Sequence, residues 1–171
     1  MVSAQVSLLH YEIGIVGHVG RAADHDELAE LSGARLVSVD DGTAGCNANH
    51  IRTWQRLLAE APAADWLAVL EDDAVPAPGF KRQLALALAA APTQVVSLYL
   101  GTGHPSVWQP KVKKAIEVAE AWIVSEHLLH GVGYAMQSSL VPELLDGLHR
   151  DGTPDVAIDK RITNWLRANR V

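Results

Sequence analysis

Three carboxylates in a row close an apolar run in this chain, at Trp66-Leu-Ala-Val-Leu-Glu-Asp-Asp73. The run predicts a strand buried on both faces, and the abrupt charge predicts that its tip emerges at the carboxyl edge of a sheet, where α/β proteins place their ligands. Side chains alternate along a strand, so extended geometry carried to the end would send Glu71 and Asp73 to one side and Asp72 to the other. Two hard oxygen donors on one side suit Mg²⁺ or Mn²⁺, which keep further positions for water and substrate phosphates. A solvated acidic turn before Pro76 is the plainer alternative.

The elements that must carry this tip alternate in type. Ile13 to Gly17 predicts a first strand, followed by a turn with Gly20 and Arg21. A helix follows, with capping-box spacing at Asp24 and Glu27 and a stop at Gly33. Ala34 to Val39 predicts a second strand ending at Asp40, Asp41 and Gly42. From Asn47, a possible cap, to about Ala61, the residues Ile51, Trp54, Leu57 and Leu58 recur at helical spacing. Beyond the acidic strand, Pro78 opens a helix marked by Phe80, Leu84 and Leu88, and Val95 to Leu100 predicts another strand. Gly101 to Pro110 reads as a loop, and Lys111 to Val124 is compatible with helix, strand or both. Val132 to Met136 predicts a late strand, and Leu140 to Leu148 a helix with Pro142 in its first turn. In the last segment Ile158, Ile162, Trp165 and Leu166 form an apolar stripe, with Pro154 and Asp155 as start signals. This order predicts α/β architecture: one domain spanning residues 1–171, with a mixed, mostly parallel sheet covered by helices on both faces.

Composition narrows the function classes. The 171 residues are 49% hydrophobic, enough for a sizeable core, and carry a formal charge of −6. That charge argues against holding nucleic acid by bulk electrostatics. Local basic stretches at Lys111, Lys113 and Lys114, and at Lys160, Arg161, Arg167 and Arg170, read first as solvated helix faces. Cys46 is the one cysteine, so no internal disulfide forms and a reducing, cytoplasmic setting is expected. The N-terminal run is interrupted by His10, Tyr11 and Glu12, unlike a signal peptide. Leu84 to Ala91 is too short to span a bilayer, so no membrane insertion is expected.

Taken together, Gly45-Cys-Asn-Ala-Asn-His50-Ile-Arg-Thr-Trp54, Leu67-Ala-Val-Leu-Glu-Asp-Asp73 and Gly133-Tyr-Ala-Met-Gln137 resemble glycosyltransferase family 25, which contains lipooligosaccharide and collagen galactosyltransferases. The order of the motifs matches, over roughly residues 34 to 165. The family's N-terminal donor segment is represented here only by Gly17-His-Val-Gly-Arg21 and Asp24, and Asn49 stands where Ser is usual. The resemblance implies a GT-A-like (Rossmann-like) fold that transfers sugar from a nucleotide-sugar donor, UDP-linked by expectation, to an acceptor hydroxyl with inversion. The acceptor is left open among a glycan, a protein and a hydroxylated DNA base. The chain is shorter than most members, so an acceptor-binding elaboration could come from a second subunit, as in a homo-oligomer.

On this reading Asp73 and Glu71 are the leading metal ligands, for Mn²⁺ or Mg²⁺, and Asp72 binds the donor ribose or ligates if the strand twists. A cation would offset charge on the departing nucleoside diphosphate. Inversion needs a base for the acceptor proton; Asp155 and Asp159, spaced i, i+4 on the expected last helix, are the candidates, and Ala157-Ile-Asp159 resembles the family's late Pro-Val-Asp segment. His50 matches the family's His and could contact donor phosphate or sugar. His127 and His130 would share a face if helical, making His130 a possible metal or diphosphate ligand. Arg21 could bind the diphosphate, Asp40 or Asp41 the uracil, and Trp108 could stack on an acceptor sugar. Each has an ordinary structural alternative in capping, turn formation or core packing. Two other classes compete: a catalytically silent nucleotide-binding module, and a metal-dependent phosphoryl-transfer enzyme. The latter lacks a Walker loop or Gly-x-Gly-x-x-Gly fingerprint.

Overall fold

The computed structural model describes residues 9–101 and 103–171. Its strands are β1 (Tyr11–His18), β2 (Leu36–Asp40), β3 (Trp66–Glu71), β4 (Val95–Ser97) and β5 (Gly133–Gln137). They form one five-stranded sheet in the order β2-β1-β3-β5-β4. β1 pairs parallel with both β2 and β3, whereas β5 runs antiparallel between β3 and β4. Four strands therefore share one direction and β5 opposes them, which is the mixed, mostly parallel sheet expected.

Helices cover both faces. α1 (Ala22–Ser32) and α3 (Phe80–Ala89) pack on one, where Ile13, Ile15, Leu28, Trp66, Ala68, Leu70, Leu84 and Leu88 are buried together. α2 (Cys46–Glu60), α5 (Val141–Arg150) and α6 (Ile158–Asn169) cover the other, around Val16, Trp54, Leu57, Leu67, Val69, Tyr134, Met136, Leu144 and Ile162. β3 thus sends alternate residues into two cores, as pleating demands. Each buried apolar side chain contributes roughly 1.5–3 kcal/mol, so the acidic tip rides on the most firmly anchored strand of the sheet.

α2 lies close on β1 because Gly14 leaves room: a Cβ there would come within 2.7 Å of Thr53 Cγ2. Gly33 ends α1 in the left-handed conformation (φ 73°), the stop expected from its position. Other boundaries differ. α1 starts at Ala22 with no side-chain cap, so Asp24 sits inside the first turn and the capping box does not form. Gly45, not Asn47, occupies the N-cap of α2; Asn47 Nδ2 donates instead to the carbonyls of Pro154 (2.5 Å) and Val156 (2.8 Å). α4 (Gln109–Val118) resolves the ambiguous middle as a helix, with no buried residue, followed by irregular chain. α6 begins at Ile158, so Asp155 precedes it and shares no helix face with Asp159. His127 and His130 lie in non-helical chain, which removes the i, i+3 geometry. Among the described residues, no helix is long and apolar enough to cross a membrane.

Candidate functional site

The carboxyl ends of β1, β2 and β3 and the start of α2 enclose a cleft of about 190 Å³, lined by Val16, Gly17, His18, Arg21, Asp40, Cys46, Asn49, Glu71, Asp72 and Asp73. Its base is built by hydrogen bonds. Asn49 is buried and bridges the sheet to α2: its Nδ2 donates to Gly17 O and Ser38 O, and its Oδ1 accepts from Ser38 Oγ and the Arg52 guanidinium. Asp40, at the end of β2, accepts the N–H groups of Ala44 and Gly45. It shapes the turn into α2, with both carboxylate oxygens engaged there. Asp41 accepts from Thr43 N–H and Oγ1, a local turn, and lies outside the cleft lining. The turn contacts weighed as the alternative are present for both, while Asp41 Oδ2 makes no hydrogen bond among the described residues.

The three carboxylates diverge. Asp72 points to the α1 face and is 7% exposed. It accepts the His18 N–H at 2.6 Å, Arg21 Nη1 at 2.8 Å and the His25 ring at 3.4 Å. Burial alone would push this carboxyl up, but those three donors together hold it below the usual carboxylate range. Asp72 consequently fixes the β1–α1 turn and is unavailable as a metal ligand without dismantling it. β3 ends at Glu71, so alternation does not extend to Asp73. Its carboxylate lies 3.7 Å from the same Arg21 Nη1 and is 50% exposed; it reaches the cleft from Asp72's side, not as Glu71's neighbour on one strand face. Arg21 is likewise half-exposed, leaving guanidinium edge for an anion.

Glu71 points to the opposite face. Its Oε1 lies 3.0 Å from His50 Nε2 and 3.9 Å from Cys46 Sγ. His50 is fully buried, with Nδ1 3.1 Å from Tyr134 Oη, and Trp54 Nε1 donates to that same hydroxyl at 3.1 Å. Burial strongly raises the Tyr134 phenol, keeping it protonated. Burial, with Glu71 beside it, pushes the Cys46 thiol up to about 11. The Cys46, His50 and Glu71 donor atoms all lie within 4.8 Å of one another. Glu71 and Asp73 both border the cleft, from its two sides, and offer it carboxylate oxygens.

The remaining candidates scatter. The start of α6 approaches Glu71 through Gly131, where a Cβ would stand 2.8 Å from Glu71 Oε1 and 3.2 Å from Ile158 Cγ2. Asp159 is half-buried in that first turn and accepts its neighbour's Lys160 N–H. Asp155 is exposed in the preceding turn. His130 packs edge-on to Tyr99 at 5.0 Å, and its buried Nε2 has no hydrogen-bond partner among the described residues; it is not part of the Cys46, His50, Glu71 group. Trp108 belongs elsewhere. It stacks with His127 at 4.7 Å under Lys111 at 4.4 Å, and lines a larger apolar groove of about 670 Å³ beside β4 and α4. That groove is bigger than the acidic cleft yet shares none of its lining residues.

No protein-family profile and no curated sequence matches the chain. Among solved structures it is similar to the crystal structure of a glycosyltransferase involved in the glycosylation of the major capsid of PBCV-1. The TM-score is 0.47 and the identity 9%, over 92% of this chain and 76% of that chain.

Several contributors were invisible in the sequence. Asn49 and His18 lie inside motifs that assign them no role, and His25 lies in none; each acts through contacts across sequence separations that patterning does not encode. Trp54, expected on an apolar helix face, and Tyr134, expected only as part of a late strand, are both core, yet each carries a polar atom into the network below Glu71. The only forewarning was chemical: a buried Trp or Tyr usually finds a partner for its polar atom.

Proposed function

We propose that the chain is a metal-dependent inverting glycosyltransferase, moving a sugar from a nucleotide donor, UDP-linked by preference, to an acceptor hydroxyl. One observation carries this reading: the three motifs that resemble family 25, far apart in sequence, meet at the carboxyl edge of the parallel strands, with Trp54, Tyr134, His50 and Glu71 hydrogen-bonded in that order. The acidic cleft adds Arg21 at its rim for a diphosphate. Its volume of about 190 Å³ is below the roughly 300–1,000 Å³ of a complete small-molecule pocket, so a nucleotide sugar would also lie along the open rim.

Asp73 and Glu71 would hold the divalent cation, which when bound neutralises charge on the leaving diphosphate. Arg21, anchored by Asp72, orients the phosphate oxygens. Asp159, at the start of the helix that approaches Glu71, takes the acceptor proton. The test presents a panel of nucleotide sugars with Mn²⁺ and follows donor hydrolysis by mass spectrometry. Slow hydrolysis of one donor is expected, reduced about 10²–10³-fold in Asp73→Asn, the usual loss when a transition-state charge stabiliser is removed. Equal turnover in both proteins would remove Asp73 from the mechanism. Release of a nucleoside monophosphate and a sugar 1-phosphate, the products of cleavage at phosphorus, would instead favour phosphoryl transfer.

A further inference from the structure

Trp54 Nε1 can only donate. Tyr134 Oη accepts that hydrogen bond (3.1 Å), so its own proton has one partner within reach, His50 Nδ1 at 3.1 Å. Nδ1 is then an acceptor, which places the ring proton on Nε2, where it donates to Glu71 Oε1 at 3.0 Å. Tyr134 and Trp54 are fully buried, as is the His50 ring, so no solvent competes for these sites. We infer that Trp54, Tyr134 and His50 form a one-way hydrogen-bond chain that directs the His50 Nε2–H at Glu71 and makes Tyr134 a positioning residue of the site.

The consequence concerns which Glu71 oxygen works. Oε1 receives the His50 N–H and faces the Cys46 thiol, while Oε2 makes no hydrogen bond among the described residues. The chain therefore turns one oxygen inward and presents the other. It also argues against His50 as a metal ligand. Ligation through Nε2 would require the ring proton to move to Nδ1, leaving the Tyr134 O–H without an acceptor. Gly131 supports the same orientation from the other side, since a Cβ there would press on Oε1 at 2.8 Å.

What Glu71 then does rests on the proposed transferase reading; the proton positions do not, and the experiment separates the two. Long-range ¹H–¹⁵N correlation spectra of the full chain at neutral pH should show His50 as the neutral Nε2–H tautomer. An Nδ1–H tautomer or an imidazolium would overturn the chain. Adding Mg²⁺, or Zn²⁺ as a second diamagnetic probe, should leave the Nε2–H in place; its loss would assign His50 to a metal instead. In the donor-hydrolysis assay, Tyr134→Phe should lower kcat about 10-fold with KM for the donor little changed, the usual scale for outer-shell partners. Trp54→Phe, which removes only the first donor, should cost less. A Tyr134→Phe protein that melts earlier but keeps wild-type kcat would reduce Tyr134 to a packing residue. If no donor is turned over even by wild type, the transferase reading fails, and the tautomer and metal measurements still decide the chain.

Discussion

At the scale of single residues, Asp72 separates structural charge from chemical charge. Glu71-Asp-Asp73 reads in sequence as one acidic motif, yet its middle carboxylate is enclosed by His18, Arg21 and His25, whereas Asp73 is half-exposed. Hydrogen bonds to a charged group are worth about 1.5–3 kcal/mol, so Asp72→Asn should destabilise the fold by about that amount in urea titrations near pH 7. The pH dependence has a definite sign. A carboxyl depressed in the folded state stabilises fully above its unfolded value, roughly pH 4, and loses that contribution as pH falls through the lowered folded value. The gap between wild type and Asp72→Asn should therefore close on acidification below about pH 4. The acidic tip itself was legible in sequence because apolar run and charge adjoin. The sorting of its three carboxylates was not, because His18 approaches from the end of another strand, Arg21 from the turn after it and His25 from the following helix.

At the scale of elements, α5 and α6 meet at a residue without a side chain. A Cβ at Gly147 of α5 would overlap the indole of Trp165 of α6. Two effects oppose each other in Gly147→Ala: helix propensity favours Ala by about 1 kcal/mol, and overpacking costs about 1–3 kcal/mol. The indole is 9% exposed and has little room to yield, so packing should win, giving net destabilisation measurable as a lower denaturation midpoint with unchanged m-value. Both helices were expected, α5 with Pro142 in its first turn and α6 from its apolar stripe, since periodicity reports which face is buried. Periodicity is silent on distance, and Gly147 could not be distinguished in sequence from an ordinary weak spot. The start of α6 was misplaced for a related reason: Pro154 and Asp155 look like start signals, but the backbone carbonyls of Pro154 and Val156 are taken by Asn47 from α2, and the helix forms only beyond them.

At the scale of the whole molecule, firmness is unevenly distributed. β1, β3 and β5 occupy the middle of the sheet and supply many of its fully buried residues. α4 buries nothing, and the chain after it is irregular up to β5. Opening free energies follow such differences. In native-state hydrogen exchange the amides of Ile13 to Val16, Leu67 to Leu70 and Tyr134 to Met136 should be the slowest. Those of Lys111 to Val118 should exchange faster by orders of magnitude; comparable protection in both would mean that α4 is held by something beyond the contacts seen. The alternating element order made the layered architecture readable in advance. The reversal of β5 was not readable, because a short apolar strand looks the same in either direction.

That reversal also imposes a schedule on synthesis. β1, β2 and β3 emerge early and can pair at once, but the other flank of β3 is closed only by β5, in the register Leu67 with Met136 through Leu70 with Gly133. Until those late residues leave the ribosome, Trp66 to Leu70 present an apolar open edge. Long-separation pairing of this kind is slow and leaves such edges prone to association with other chains. Between the emergence of β3 and that of β5 the nascent protein is thus a sticky intermediate, and the tyrosine that completes the network under Glu71 arrives in the same stroke that seals the gap.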